Sequence, residues 1–321
     1  MRHLAIVLAA LVLGAPAQGQ DQYPSKNLRI IVPTSPGGVT DILGRAIGNS
    51  MQQTWGRTVV VENRVGGNEM IGTGAVAKSA PDGYTLLVTG SGPITGAPFM
   101  IKQMPYDPLK DLTALVMLAE ITPMLHVPAS SPIKTVKDFI ELAKAKPDTL
   151  NYASMGNGTY PHVAMEEFKR RTGIKLAHIP YKGSSPAMNA LVTGEASVLI
   201  VNLSNVAAQV KQGNIRTIAS AGPQRAPMRP DLPTIAEAAD LPGFATGSWW
   251  GIFGPANLPA AVVDKIRSDA AKMLDTPELR QLYEINTLTR RAMSGPEFEQ
   301  FIRGDMENQR RQFASAGIVP E

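Results

Sequence analysis

Two glycine-rich turns carry the clearest chemical signal in the chain. Pro36-Gly37-Gly38 follows the β-branched run Leu28–Val32 and opens a stretch in which Val39, Ile42, Leu43, Ala46 and Ile47 recur at helical spacing. Ser154-Met155-Gly156-Asn157-Gly158-Thr159 follows the run Leu150–Ala153 and opens a helical pattern from about Pro161 to Arg171. Thr159 is placed as its N-cap, with Pro161 in the first turn. Glycine lets backbone N–H groups approach a ligand closely. A helix start offers unpaired N–H groups and about half a positive charge, so each turn suits an anion. In open α/β sheets ligands sit beyond the carboxyl ends of the strands, which is where both turns fall. Two such turns facing across a cleft would hold one carboxylate-bearing ligand. Spacing alone leaves them equally readable as ordinary βα turns, where glycine is common.

Other candidate residues are less specific. Ser91-Gly92, after the strand-like run Tyr84–Thr89, would line the same cleft. Lys182 could neutralise an acid but reads more simply as a surface lysine, and Trp249 and Trp250 read as hinge or core packing before ring stacking. Of four histidines, His3 leaves with a leader, and His126 and His178 sit in strand-like segments as structural residues. His162 lies in the first turn of the second candidate helix, where it caps or donates to a ligand. No pair of histidines has metal-ligand spacing, and neither a metal nor a cofactor is expected. The motifs G-x-S-x-G and G-x-x-x-x-G-K-[ST] are missing. Gly72-Thr-Gly-Ala-Val-Ala77 matches a dinucleotide fingerprint but lies well beyond the preceding strand. A secreted α/β hydrolase would need a base near Ser154 or Ser91, and His162 is the candidate the sequence offers. A sensor subunit serving a signalling partner would use the same surfaces as a binding protein for uptake.

The elements that must position these residues follow from patterning. Arg2 and His3, an apolar run Leu4–Leu13 and the small-residue site Ala15-Pro16-Ala17 have the layout of a secretory signal peptide over 1–19, which predicts export to a periplasm. The run is shorter than the ~20 apolar residues that span a bilayer. The 321 residues contain no cysteine, so neither a disulfide framework nor a lipid-bearing cysteine is available. Hydrophobic residues make up 44% of the chain, enough for substantial cores, and the net charge of +4 is too dispersed for nucleic acid. Strands at Leu28–Val32, Thr58–Glu62 and Tyr84–Thr89 alternate with helical segments at Val39–Gly56 and Ala75–Lys78. Strands at Met124–Val127, Leu150–Ala153, Leu176–Ile179, Ala196–Val201 and Ile215–Ala219 alternate with helices opened at Thr135, Pro161 and Ser185-Pro186. Such alternation implies parallel sheets covered on both faces. A Pro/Gly-rich stretch, Pro223–Gly254, precedes two amphipathic helices whose return to the first block would make two crossings between lobes.

Taken in order, these residues resemble the Bug-type substrate-binding proteins of tripartite tricarboxylate transporters, over nearly the whole mature chain. The resemblance rests on Ile30-Ile-Val-Pro33 with Pro36-Gly37-Gly38 and Asp41, on Val59-Val-Val-Glu-Asn63, and on Val76-Ala-Lys78 with Ala80-Pro-Asp-Gly-Tyr-Thr-Leu-Leu87. It continues through Tyr106-Asp-Pro108 with Lys110-Asp111, Asn151-Tyr-Ala-Ser154 with Gly156, Gly158 and His162, His178-Ile-Pro-Tyr-Lys-Gly183, and Pro233-Thr234 with Glu237. It implies a two-lobed α/β periplasmic binding protein of the Venus-flytrap, type II-like kind, each lobe a mostly parallel sheet flanked by helices. Lobe 1 would comprise 20–124 and 245–321, and lobe 2 would comprise 125–244. The ligand would be a small carboxylate and the partners integral membrane permease subunits, with the receptor a monomer and no catalysis. The expected ligand-binding set is Thr34, Ser35, Pro36, Gly37, Gly38, Asp41, Ser91, Gly92, Ser154, Gly156, Asn157, Gly158, Thr159, His162 and Asn202. The chain departs from the family pattern at three places. Thr34 and Ser35 stand where an aromatic residue is common. The loop Val65-Gly66-Gly67-Asn68-Glu69-Met70 is altered, and Asn202 ends a strand that often ends in Asp. Loss of that carboxylate removes a partner for a ligand ammonium, so the expected ligand is a di- or tricarboxylate, with an aromatic acid included, rather than an amino acid.

Overall fold

In a computed structural model of the chain, which describes residues 23–156, 159–181 and 183–319, strand β1 (Leu28–Val32) is the centre of the first α/β unit. Helix α1 (Val39–Trp55) covers it with Leu43, Ala46, Ile47 and Met51, all buried, and each fully buried large aliphatic contributes about 1.5–3 kcal/mol. A Cβ on Gly44 would sit 2.6 Å from the Val32 side chain, and one on Gly48 2.9 Å from Val61 in strand β2 (Val59–Asn63). The two glycines therefore let α1 ride closer to the sheet than larger residues would allow. Helix α2 (Met70–Ala77) and strand β3 (Thr85–Gly90) complete the unit, with β2 and β3 both parallel to β1. The helix expected at Ala75–Lys78 starts earlier, at Met70, because Gly66, Gly67, Asn68 and Glu69 all adopt positive φ and turn the chain into it. The dinucleotide-like glycines lie inside α2. A Cβ on Gly72 would meet the Arg64 carbonyl at 2.6 Å, so close packing accounts for that glycine.

Strand β4 (Leu112–Ile121) then leads into the second lobe, which holds β5 (Met124–Pro128), α3 (Val136–Ala145), β6 (Asn151–Ser154), α4 (Tyr160–Thr172), β7 (Ala177–Pro180) and α5 (Ser184–Thr193). It continues with β8 (Val198–Val201), α6 (Leu203–Lys211), β9 (Ile215–Ser220) and α7 (Ile235–Ala239). The chain returns through β10 (Ser248–Pro255) to α8 (Ala260–Met273), α9 (Pro277–Ile285), β11 (Leu288–Arg290) and α10 (Gly295–Ser315). The capping box expected at Thr135 and Asp138 is present in both directions. Helix α5 opens one residue before the expected Ser185-Pro186 start, with Gly183 as N-cap.

The sheets run β11-β4-β10-β3-β1-β2 and β7-β6-β8-β5-β9. The expected parallel character holds for β2-β1-β3 and β7-β6-β8. Each sheet is nevertheless mixed, because β10, β4 and β11 in one, and β5 and β9 in the other, pair antiparallel with their neighbours. A chain that crosses from one lobe to the other and back makes its return strand run opposite to its outgoing one. Strand β10 falls in the segment read as Pro/Gly-rich, where Gly251, Gly254 and Pro255 break the alternation. Packing accounts for Gly251, since a Cβ there would stand 2.8 Å from the Phe298 ring.

The two crossings lie side by side. Ile121 pairs with Ser248, the Thr246 N–H donates to the Ala221 carbonyl at 2.8 Å, and the Ala221 N–H donates to the Pro123 carbonyl at 2.8 Å. A Cβ on Gly247 would lie 2.6 Å from the Ile121 carbonyl oxygen. Helix α10 makes a third link. Phe298 and Ile302 pack into the first lobe with Trp249 and Phe253. At its far end Gln312 Nε2 donates to the Ala245 carbonyl at 2.6 Å, and the Ser315 hydroxyl donates to Glu167 of α4. Backbone at the crossing cannot yield as a flexible side chain would. Gly247→Ala should therefore lower stability by about 1–3 kcal/mol, read as a lower urea midpoint at unchanged slope. An unchanged midpoint would show that the crossing tolerates a side chain.

Candidate functional site

On the first lobe, the turn between β1 and α1 is held from beneath. The Gly37 N–H donates to Asp41 Oδ2 at 3.0 Å, in a backbone conformation of φ 88° that suits glycine. Arg45 Nε donates to the same oxygen at 3.1 Å, and Asn63 Nδ2 donates to Asp41 Oδ1 at 2.8 Å and to the Thr34 carbonyl at 3.0 Å. Burial works against the ionised Asp41, but hydrogen bonds from Arg45, the Gly37 N–H and Asn63 outweigh it and hold its pKa below the usual carboxylate value. The Asp41 side chain is only 4% exposed, so it braces the turn and does not face outward. Ser35, Pro36, Gly37 and Gly38 are exposed, Thr34 Oγ1 is buried without a hydrogen-bond partner, and no side chain caps α1.

On the second lobe, the turn after β6 is braced by a different device. The fully buried Ser154 hydroxyl lies 2.6 Å from His178 Nε2 and 3.1 Å from both the N–H and the carbonyl oxygen of Gly156. His178 stacks between Tyr152, at 4.7 Å and 12°, and His162, at 4.2 Å and 7°. Tyr152 donates to Glu166 at 2.5 Å, and Glu166 also accepts from Lys169 at 2.7 Å. Burial, with the neighbouring His162, brings the His178 pKa down to about 4, and burial lowers that of His162. Thr159 is the N-cap residue of α4, but its hydroxyl turns back to the Gly156 carbonyl at 2.6 Å, so no side chain caps this helix either. Asn157, Gly158 and Lys182 lie outside the described residues, as does the leader. The base expected near Ser154 was His162, yet the geometry pairs Ser154 with His178.

Asn202 begins α6 and is 4% exposed. Its amide donates to Ser204 Oγ at 2.7 Å and to the Asn286 carbonyl at 3.3 Å, and its oxygen accepts from Thr287 at 3.0 Å. It ties the second lobe to the α9–β11 turn of the first.

A cavity of about 290 Å³ lies between the lobes. Of the described residues in the expected ligand-binding set, Ser91 and Gly92 line it, whereas Thr34, Ser35, Pro36, Gly37, Gly38, Asp41, Ser154, Gly156, Thr159, His162 and Asn202 are not among its lining residues; Ser91 Oγ is 3.0 Å from Ser248 Oγ. Thr40, in the first turn of α1, and Tyr160 and Val163, in the first turns of α4, line it from opposite lobes. Trp250 forms another wall and donates through Nε1 to Thr40 Oγ1 at 3.0 Å. Sequence reasoning missed Thr40, Tyr160, Glu69, Gln309 and Phe313 as lining residues. The altered loop that carries Glu69 was the one available signal; Gln309 and Phe313 reach the cavity only because α10 crosses to the second lobe. A second cavity, of about 330 Å³, lies behind the crossings against Asp305 and Asn308 of α10. No helix among the described residues is long and apolar enough to cross a membrane.

The chain matches the family described as tripartite tricarboxylate transporter family receptor over residues 43–317. It is 34% identical to the protein BugT of Bordetella pertussis over 253 residues, which cover 78% of this chain and 77% of that one. The fold is similar to that of R. palustris Rpa4515 with adipate, at a TM-score of 0.73 and 30% identity, covering 93% of this chain and all of the other (100%). It is also similar to MatC from Rhodopseudomonas palustris with bound malate, at a TM-score of 0.66 and 27% identity, covering 90% and 99% of the two chains.

The stacked histidines give the site a pH signature. His178 has a pKa of about 4 in the folded chain against 6.5 in an unfolded one, so the unfolded state binds more protons between those values. Its contribution therefore destabilises the fold progressively as pH falls from 6.5 towards 4. Urea midpoints at pH 7 and pH 5 should drop more for the wild type than for His178→Gln. Equal drops would exclude this histidine as a source of acid sensitivity.

Proposed function

The chain belongs to the tripartite tricarboxylate transporter receptor family, and from that premise we propose that it captures a small di- or tricarboxylate between its lobes and delivers it to integral membrane permease subunits. The observation that carries this reading is the inter-lobe cavity, lined from opposite lobes by Thr40 in the first turn of α1 and Tyr160 in the first turn of α4, two helices whose N-cap side chains make no capping hydrogen bond. Each helix start carries about half a positive charge. A hydrogen bond to a charged acceptor is worth about 1.5–3 kcal/mol, so a carboxylate at each end exploits both lobes. The volume, about 290 Å³, suits a small acid. Adipate and malate, the ligands named for the two similar structures, fall in this class.

In this reading the turns Thr34–Gly38 and Gly156–Thr159, with Ser91, Gly92 and His162, contact the ligand, while Asp41 and the buried Ser154–His178 pair position the turns. Asn202 acts at the junction of the lobes. Closure about the paired crossings brings the two helix starts together on the acid. Receptors of this family work in the periplasm, and the 1–19 leader is the proposed route there. A monomer suffices, because both halves of the site belong to one chain.

Screening a panel of small carboxylic acids by thermal shift tests the reading. A ligand that binds only the folded state adds about 2.7 kcal/mol at 100 times its dissociation constant, so at least one di- or tricarboxylate should raise the melting temperature. No shift with any acid would sink the proposal. Ser154→Ala should weaken binding of that acid, and neither wild type nor variant should hydrolyse p-nitrophenyl acetate above the uncatalysed rate. Hydrolysis lost in Ser154→Ala would instead make the protein an enzyme.

A further inference from the structure

Glu69 places an acid in the wall of the inter-lobe cavity, where the proposed function puts a carboxylate ligand. Resting on that function, we propose that Glu69 determines specificity by accepting a hydrogen bond from the ligand, so that the captured acid carries a hydroxyl or ammonium group towards the wall of the first lobe.

Glu69 is the only acidic or basic side chain among the described residues lining the cavity, with no Lys, Arg or His beside it there. Among the described residues its side chain accepts one hydrogen bond, from Thr89 Oγ1 at a long 3.3 Å, and no ion pair reaches it. An ionised carboxylate can accept about four hydrogen bonds, so the described residues leave most of its capacity to solvent or a ligand. Burial raises its pKa, only partly opposed by the Thr89 hydrogen bond. Glu69 is also the N-cap residue of α2, yet its side chain makes no capping hydrogen bond. It therefore serves neither the helix nor an internal ion pair.

The backbone points the same way. Glu69 has φ 71° and Asn68 φ 51°, following two glycines at positive φ. Asn tolerates this region, whereas Glu rarely enters it. Glycine would fit without strain, so a strained acid turned into a ligand cavity is the pattern expected of a functional constraint. Asn202 of the second lobe is already committed to Ser204, Asn286 and Thr287. A ligand with a donor satisfies Glu69. A plain dicarboxylate must sit beside it unpaired.

Calorimetry on wild type, Glu69→Gln and Glu69→Gly with two matched series tests this: succinate, malate and aspartate, and adipate, 2-hydroxyadipate and 2-aminoadipate. In at least one series the wild type should bind a donor-bearing acid at least about tenfold more tightly than its parent. Both variants should bring the members within about threefold of one another. Glu69→Gly, which accepts the backbone conformation, should melt no lower than wild type. Comparing the hydroxyl with the ammonium member identifies the donor. A wild type that, in every series it binds, holds the unsubstituted parent as tightly as the substituted forms overturns the proposal while leaving carboxylate capture intact. So does a variant that weakens a whole series by one factor. Failure of every acid to bind overturns both.

Discussion

The first turn of an α-helix has N–H groups that nothing within the helix can accept. In this protein the first turns of α1 and α4 line one cavity from different lobes, through Thr40 and through Tyr160, and the N-cap side chain of neither helix makes a capping hydrogen bond. Much of the surrounding structure serves to hold these backbone groups in place. Asp41, Arg45 and Asn63 clamp the first turn through a buried carboxylate. Ser154, His178 and the ring stack of Tyr152 and His162 clamp the second. In the proposed function the acid is held by backbone N–H groups, so the accuracy of capture depends on the groups that fix the turns.

The junction between lobes follows the same economy. The outgoing and returning strands lie against each other at Ile121 and Ser248, with Gly247 packed on the Ile121 carbonyl. Helix α10 joins both lobes, resting Phe298 and Ile302 in the first and reaching Glu167 and Arg170 of α4 through Ser315. Gln309 and Phe313 line the cleft from α10, so the helix that restrains the lobes also touches the site.

The second sheet, the parallel half of the first and most helices were legible from pattern because each of these elements buries a regular face. Val39 to Ile47 repeats at helical spacing, and Val198–Val201 is apolar on both faces. The exceptions among the strands were β4, β11 and β10, the antiparallel half of the first sheet, and β10 carries the return crossing. Its glycines obey the needs of Phe298 and other distant side chains, so local alternation fails where long-range packing dominates.

From its amino acids alone the protein is an α/β chain with two glycine turns suited to anions, because turn chemistry and helix starts are local properties. Ser91 and Gly92 were legible for the same reason, as the end of a strand on the ligand side of a sheet. Which residues share a wall was decided only in three dimensions. The pairing of Ser154 with His178 spans adjacent parallel strands. Thr40, Tyr160 and Phe313 converge because the lobes face each other across α10. Glu69 looked like a disturbed glycine loop in sequence. The positive-φ turn into α2, and the position of that turn beside Thr89, make it part of the cavity wall.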